Sequence, residues 1–279
     1  MKTPRVTVIV PTYNSSRTIE ACLRSISTQS YPSIELIVVD NNSTDDTKKI
    51  AQKYTKNVFN KGPERNAQRN FGLSQSHGEF VVSIDSDMKL STHVISDCVE
   101  KMQKESDLVG LYIPEESFGE GFWAQCIKLE RSFYIGQDGI EAARFFRKSV
   151  LDSVRGFDEE LISAEDWYLT EQVAQKGKLG RVKSLIYHDE GSPTFKKLVS
   201  KKYYYASKMR FYLNKSDSGG ASGQAGNVIQ RYVLFLSDPI KLFRNPFIGI
   251  GMLFLKTSEY AMGFIGFLLS KLQSDNQTR

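Results

Sequence analysis

Strands and helices alternate through the first hundred residues, and this alternation restricts the fold more than any other feature of the sequence. Runs of β-branched and apolar residues, typical of strands buried on both faces, occur at 5–10, 35–39 and 79–84. Helical patterns lie between them at 16–29, 44–54 and 65–75. This order predicts right-handed βαβ crossovers and an α/β fold with a mostly parallel, doubly wound sheet.

Polar residues follow three of the predicted strands at the points where the strands end. Thr12 closes the first strand, Asp40 the second, and Asp85 and Asp87 the third. Ligands of open α/β sheets bind outside the carboxyl ends of the strands, so we expect these side chains to share one site. Two carboxylates in an Asp-x-Asp turn can hold a hard divalent cation, although an acidic, solvated turn has the same pattern.

Further elements are predicted along the rest of the chain. Strands are expected at 108–113, 143–146 and 181–187, and helices at 122–134 and 165–176. The character changes near Pro193, where residues 195–213 form a basic amphipathic pattern. A Gly- and Ser-rich loop is predicted at 216–226. Two apolar runs follow, 247–255 and 260–269, separated by a polar interruption that contains Lys256 and Glu259.

The charge of the chain is divided unevenly between its front and its back. Residues 1–194 carry 24 basic and 28 acidic side chains, whereas residues 195–246 carry 10 basic and 2 acidic ones. Lysines mixed with tyrosines suit a helix on an anionic membrane surface, where lysine stems reach to the interface. Packing on the catalytic part is the alternative. Without a recognised nucleic-acid module, we expect no nucleic-acid partner.

The apolar C-terminal runs are long enough together to cross a bilayer, which takes about 20 residues. Lys256 and Glu259 lie near the centre of that stretch, where charged side chains are costly. We therefore expect two helices lying in the membrane plane or inserted shallowly, with a homodimer interface as the other use of the apolar surface. Three scattered cysteines and the lack of a visible signal peptide predict that the catalytic part stays in the cytosol. Together with the basic, apolar C-terminal part, this places the expected location at the cytoplasmic face of the cell membrane.

Six segments of the chain form an ordered set: Val6–Asn14, Glu35–Asp45, Arg69-Asn70, Gly78–Asp87, Gly156–Glu159 and Glu165-Asp166. In this order they resemble the corresponding segments of the family 2 glycosyltransferases. The resemblance covers about residues 5–190. It implies a GT-A fold, an inverting transfer of a nucleotide-activated sugar, and dependence on Mn²⁺ or Mg²⁺. We accordingly predict a GT-A catalytic domain at 1–194 and a helical, membrane-associating extension at 195–279.

The resemblance also implies roles for individual residues. Contacts with the nucleotide are expected from Pro11, Thr12, Tyr13, Asp40, Arg69 and Asp85. Asp87, Asp85 and His188 are the candidate metal ligands, although a lone histidine such as His188 is commonly structural. Asp166 is expected to be the general base, with Glu165 and Trp167 beside the acceptor, although Trp167 also suits a core position. Asn41-Asn42 replaces the family's frequent Asp-Gly, which leaves UDP and GDP both open as the nucleotide.

The chain lacks the Gln-x-x-Arg-Trp motif and the several membrane spans of a processive polysaccharide synthase. Transfer of a single sugar is therefore expected, from a nucleotide-sugar donor to a polyprenyl-linked acceptor or a growing glycan. Two alternatives use a similar scaffold. A sugar nucleotidyltransferase should have a Gly-rich basic loop after the first strand, where this chain has Pro11–Asn14, and a non-catalytic membrane adaptor should have lost the acids.

Overall fold

A computed structural model describes residues 3–137, 139–215 and 228–277. The strands are β1 (Val6–Thr12), β2 (Ile34–Asp40), β3 (Val58–Asn60), β4 (Phe80–Ser83), β5 (Met88–Leu90), β6 (Leu108–Tyr112), β7 (Glu115–Phe118), β8 (Ala143–Arg147), β9 (Lys178–Arg181) and β10 (Ile186–Asp189). The helices are α1 (Ile19–Ser27), α2 (Thr47–Ala51), α3 (Arg65–Ser74), α4 (Val94–Lys104), α5 (Gly121–Tyr134), α6 (Lys148–Ser153), α7 (Glu165–Ala174), α8 (Phe195–Lys215), α9 (Val228–Leu236), α10 (Pro239–Phe243) and α11 (Pro246–Gln277).

A seven-stranded sheet is formed in the order β3-β2-β1-β4-β8-β6-β9. The pairs β1–β2, β1–β4, β2–β3 and β6–β9 are parallel, and only β8 runs antiparallel to its neighbours β4 and β6. The predicted α/β class and mostly parallel sheet are thus confirmed. A second sheet of three strands has the order β5-β10-β7.

The sheet is covered on both faces, as its sequence pattern requires. All seven residues of β1 are buried. Val6, Val8 and Val10 pack in one apolar cluster, whereas Ile9, which points to the other face, packs in a second. Continuous burial explains why the strand consists of apolar and β-branched residues instead of alternating with polar ones.

By packing, the chain divides into two compact units. The first contains Met1–Glu116, Glu141–Glu159 and Leu169–Asp189. The second contains Ser117–Ile140, Glu160–Tyr168 and Glu190–Arg279. The sequence places a domain boundary at 194/195, and that boundary stays a prediction. The packing adds that two earlier segments, 117–140 and 160–168, belong with the helical C-terminal part.

The second unit has an apolar core of its own, built by α5 together with α9, α10 and α11. The buried side chains of this core are Cys126, Ile127, Phe133, Tyr134, Phe235, Leu242, Met252 and Leu255. Lys256 also lies inside this unit, and its Nζ is 2.7 Å from Glu130 Oε1 and 2.6 Å from Glu259 Oε2. Lys256 therefore pairs with two buried carboxylates, and the positive charge of Lys202 also acts on both.

Three predicted elements differ in the structure. The single strand predicted at 181–187 is two strands, β9 and β10, which belong to different sheets. The second predicted helix begins at Thr47 rather than near Thr44, because Asp45 accepts a hydrogen bond from Thr47 N in the preceding turn. The two predicted C-terminal helices are one helix, α11. The predicted loop at 216–226 lies outside the described residues.

Among the described residues, one helical stretch, Pro246–Leu269, has the length and apolar composition that would allow it to cross a membrane. All three cysteines are reduced and buried. Burial raises the pKa of the Cys22 and Cys98 thiols well above the ordinary range and that of Cys126 to about 11. Cys22 and Cys98 lie in the first unit, and Cys126 lies in the second.

Candidate functional site

The carboxyl ends of β1 and β2 lie side by side. The parallel register pairs Thr12 with Asp40, and Asn41 N donates to Thr12 O at 2.9 Å. Gln68 on α3 holds both strand ends, since its Nε2 donates to Thr12 O at 2.9 Å and to Val39 O at 2.6 Å. The sequence predicted that Thr12 and Asp40 would meet, but it gave no sign of the buried Gln68.

The predicted nucleotide-contacting residues at this edge differ in their surroundings. Thr12 is buried, and its Oγ1 has no hydrogen-bond partner among the described residues. The Asp40 carboxylate is buried and accepts hydrogen bonds from Ser43 N at 2.8 Å and from Ser43 Oγ at 2.5 Å. Pro11 is buried and Tyr13 is exposed. The edge therefore offers a buried hydroxyl oxygen beside an exposed aromatic ring.

Asp85 lies against two arginines of α3. Arg69, which is fully buried, is 2.8 Å from Asp85 Oδ1 through its Nη2, and Arg65 Nη1 is 3.8 Å from Oδ2. Burial alone would raise the pKa of Asp85, but the positive charges of Arg69, Arg65 and Arg144 hold it far below its usual range. Arg69 also lies over the Phe157 ring, 4.9 Å from its centroid. Asp85 is thus fixed in its ionised form.

Asp87 faces a residue that is a hundred positions away in the chain. Antiparallel pairing of β5 with β10 sets His188 opposite Met88, and Asp189 N donates to Asp87 O at 2.8 Å. This pairing brings His188 Nε2 to 3.3 Å from Asp87 Oδ2. A carboxylate oxygen and an imidazole nitrogen at this separation fit a divalent ion such as Mn²⁺. In the part of the chain that the structure describes, no three or more His, Cys, Asp or Glu side chains are grouped so that together they could hold a metal ion.

The acidic pair Glu165-Asp166 opens α7, as the sequence predicted. Ala164, immediately before the helix, has a left-handed φ of 64°, a strained conformation for a residue other than glycine. Glu165 is buried, whereas Asp166 and Trp167 are half-buried. The indole Nε1 of Trp167 donates to Ile140 O at 3.0 Å, which fixes the ring. These three residues belong to the second unit, and the other candidate residues belong to the first.

The segment Gly156–Glu159 is fastened to α3 by asparagines. Asn70 exchanges two 2.8 Å hydrogen bonds with the Phe157 backbone, donating to its carbonyl and accepting from its N–H. Asn66 Nδ2 donates to Asp158 O at 2.9 Å. Gly156 has a φ of 70°, and a Cβ there would meet Asn70 Oδ1 at 2.5 Å. Spacing on α3 could have suggested this role, because residues 66, 69 and 70 share one helix face.

Comparison with known proteins agrees with this arrangement. A family model described as glycosyl transferase family 2 matches residues 7–155, just over half of the chain. The matched range contains the ends of β1, β2 and β4 and the Asp85–Asp87 turn, and it ends one residue before Gly156.

Two curated relatives show the same similarity. The chain is 31% identical over 185 residues to a GalNAc(5)-diNAcBac-PP-undecaprenol beta-1,3-glucosyltransferase of Campylobacter jejuni, covering 58% of this chain and 57% of the relative. It is 30% identical over 225 residues to the poly(ribitol-phosphate) beta-N-acetylglucosaminyltransferase TarS of Staphylococcus aureus, covering 73% of this chain and 36% of the relative. The chain thus spans about a third to just over half the length of these relatives.

A solved structure of similar fold is the mannosyltransferase PcManGT of Pyrobaculum calidifontis in complex with GDP-Man and Mn²⁺. The two chains superpose with a TM-score of 0.59 at 17% identity, over 100% of this chain and 81% of the other. Such a likeness concerns the fold, and it confirms the GT-A architecture of this α/β chain with its helical C-terminal extension. From the matched family model and this fold, the chain belongs to glycosyl transferase family 2.

Proposed function

We propose that the protein transfers one sugar from a nucleoside-diphosphate sugar, linked to UDP or GDP, to an acceptor hydroxyl with inversion at the anomeric carbon. The observation that carries this proposal is the strand edge where Thr12, Asp40 and Asp85 converge and Asp87 Oδ2 lies 3.3 Å from His188 Nε2. In a member of this family, such an edge suits a nucleotide and a divalent ion.

The donor nucleotide is assigned to the β1–β2 edge. Among the residues that the structure describes, none makes a hydrogen bond with the buried Oγ1 of Thr12, so a hydrogen bond with the nucleotide would supply the one that this hydroxyl lacks. Asp40 accepts from the base, and the exposed Tyr13 ring and the buried Pro11 border it. The structure of PcManGT with GDP-Man and that of TarS with UDP-GlcNAc support both nucleotides, so the choice between them is left to experiment.

Asp87 and His188 would hold Mn²⁺ or Mg²⁺. Such an ion supplies positive charge against the negative charge that grows on the diphosphate as it leaves. Asp85 is engaged by Arg69 and Arg65, so we assign it to orienting the ribose side of the donor rather than to direct coordination. The complex of PcManGT with Mn²⁺ supports the presence of a divalent ion.

Asp166 is the proposed general base. A carboxylate with a reference pKa of about 3.9 is ionised at neutral pH, and the first turn of a helix favours its negative charge. It takes the proton of the acceptor hydroxyl as the new glycosidic bond forms and the nucleoside diphosphate departs. One displacement from the opposite face inverts the anomeric carbon. Glu165 and the fixed ring of Trp167 would border the acceptor.

The acceptor is proposed to be lipid-linked or a growing glycan at the cytosolic membrane face. The name of the Campylobacter jejuni relative specifies an undecaprenol-linked substrate, and that of TarS a poly(ribitol-phosphate). The exposed apolar side chains of α9–α11 support a membrane location. Membership of the family favours sugar transfer over nucleotidyl transfer. The following experiment tests whether the protein is instead a non-catalytic membrane adaptor.

The first prediction concerns the acids. Release of nucleoside diphosphate is measured from a panel of UDP- and GDP-sugars with Mn²⁺ and membrane extract. We expect turnover of one donor, a loss of at least about a hundredfold in Asp87→Ala, and a loss of about 10²–10⁴-fold in Asp166→Asn. The affinity for Mn²⁺ is measured from the electron paramagnetic resonance spectrum of the ion. It should fall in Asp87→Ala and His188→Ala but not in Asp166→Asn.

Asp107→Asn is the matched control. This exposed carboxylate pairs with Lys178 at the amino end of β6, on the edge of the sheet opposite to the candidate site, so its loss should leave turnover unchanged. A folded protein that binds Mn²⁺ and turns over no donor on the panel would contradict the transferase proposal. Equal turnover in wild type and Asp166→Asn would refute only the assignment of the base.

A further inference from the structure

Exposed apolar side chains are concentrated in the last three helices. Of the sixteen large apolar residues that are exposed in the described part of the chain, thirteen lie between Val228 and Leu269. On the surface of a soluble protein such residues are usually scattered singly, and a concentrated set marks an interaction surface. The question is then what these helices contact.

The exposed residues of α9 and α11 lie at helical spacing, so each helix presents one apolar face. On α9 these residues are Ile229, Val233 and Leu236, and on α11 they are Phe247, Ile250 and Phe254. The exposed face of α11 continues through Thr257, Ala261, Phe264 and Leu268 without a charged side chain. At a rise of about 1.5 Å per residue, this face is about 30 Å long.

The two charged side chains of α11 that the structure describes lie on its other face, inside the second unit. Lys256 and Glu259 are buried, and Lys256 pairs both with Glu259 and with Glu130 of α5. Tyr134 OH adds a 2.7 Å hydrogen bond to Glu130 Oε1. Crossing a membrane as a separate span would remove Lys256 and Glu259 from these partners and place charge at the bilayer centre, which is costly. The ion pairs therefore argue that α11 stays packed in its unit.

A basic residue lies among the exposed apolar residues in the sequence. Arg244 is exposed between α10 and α11, and the side chains of Ile240, Phe243 and Phe247, within four positions of it along the chain, are exposed as well. Residues 195–246 carry 10 basic and 2 acidic side chains, an excess of eight positive charges. A second copy of the chain would bring two positive segments together, whereas an anionic bilayer complements them. The charge therefore favours a lipid surface over a homodimer.

We propose that the exposed faces of α9 and α11, with α10 between them, form a bilayer-facing surface that lies in one leaflet of an anionic membrane without crossing it. This inference deepens the membrane placement of the proposed function and is independent of the transfer chemistry. Aromatic and aliphatic side chains enter the acyl boundary, and Arg244 meets the headgroups.

The test is flotation of the full chain with vesicles of phosphatidylcholine, with and without phosphatidylglycerol. Wild type is expected to float with the anionic vesicles and to be released from them by about 1 M salt. Phe247→Ser/Phe254→Ser should bind at least about tenfold more weakly, since two apolar side chains lose their burial in lipid. Phe247→Leu/Phe254→Leu is the matched control and should retain binding.

Circular dichroism checks that each variant is folded. If the double serine variant unfolds, Ile240→Ser replaces it, because that side chain is 85% exposed and should float less without affecting the fold. Nucleoside diphosphate release is measured in parallel, so a failure of binding can be told from a failure of the enzyme. Three results would overturn the proposal: no flotation of wild type, resistance of the bound chain to alkaline extraction as for a spanning helix, or dimerisation that the serine variant abolishes.

Discussion

Arg69 combines three properties that are rarely found together in one side chain. It is fully buried, it forms a 2.8 Å ion pair with Asp85, and its guanidinium lies over the Phe157 ring. A buried ion pair adds little net stability over apolar residues of the same size, but removing one partner leaves an uncompensated charge. The value of Arg69 therefore lies in keeping Asp85 ionised and in place.

Arg69→Met tests this role. We expect the free energy of unfolding to fall by about 3–5 kcal/mol, because Asp85 loses its nearest cation. The pKa of Asp85 should rise toward its ordinary range. The difference in the free energy of unfolding between the variant and wild type should therefore narrow at low pH, as acid protonates Asp85. Urea unfolding at several pH values measures both effects. Arg24→Met, which breaks an exposed pair with Glu20, should change nothing measurable, and equal losses in the two variants would contradict the assignment.

At this scale the sequence predicted which residues lie at the strand edge but not what each one contacts. Thr12, Asp40, Asp85 and Asp87 follow from strand ends, because parallel strands present their carboxyl ends on one side. That Asp40 accepts hydrogen bonds from Ser43, and that Asp85 accepts one from Arg69, depends on turn geometry and on the side chains that α3 presents. Pairing of Asp87 with His188 needed the β5–β10 register, which no local pattern encodes.

Among the elements, α11 shows why a polar interruption need not break a helix. Lys256 and Glu259 suggested two helices, since charges in an apolar run are usually solvated. In the structure both are buried, and Lys256 pairs with Glu259 and with Glu130, so the interruption is a polar contact on the packed face and the helix continues. Gly266 allows close packing there, because a Cβ would meet Tyr203 O of α8 at 2.6 Å.

Lys256→Met should reveal what this contact contributes. We expect a loss of about 3–5 kcal/mol in the free energy of unfolding, since Glu130 and Glu259 would remain buried without the cation that pairs with both of them. The triple variant Lys256→Met/Glu130→Gln/Glu259→Gln should regain much of the loss. Thermal unfolding measures both, and Lys104→Met, which breaks an exposed pair on α4, is the control. A loss in the triple variant as large as that in Lys256→Met would show that lost packing, not stranded charge, is responsible.

For the whole molecule, the order of segments along the chain differs from their grouping in space. The sequence marks a change of character near Pro193, and composition alone places the boundary at 194/195. The packing places α5, with Cys126, Phe133 and Tyr134, in a core with the C-terminal helices. Composition could not reveal this, because an apolar helix face looks the same whichever partner covers it.

A fragment ending at Thr194 tests the grouping. It would leave the apolar face of α5 without α9, α10 and α11, so we expect lower soluble yield and a lower melting temperature than for the full chain. Residues 1–269, which retain these partners, should behave as the full chain does. Equal yield and melting temperature for the 1–194 fragment would instead support the boundary that composition suggests.

The buried cysteines make the opening of the two units separately observable. Only a thiolate reacts readily with an alkylating reagent, and burial keeps these thiols protonated as well as covered. Modification therefore requires local opening, so its rate measures how often the surrounding structure opens. The modification rates of Cys22 and Cys98 report opening within the first unit, and that of Cys126 reports opening within the second. Each unit thus contains a cysteine whose alkylation, followed by mass spectrometry, reports local opening without an engineered cysteine.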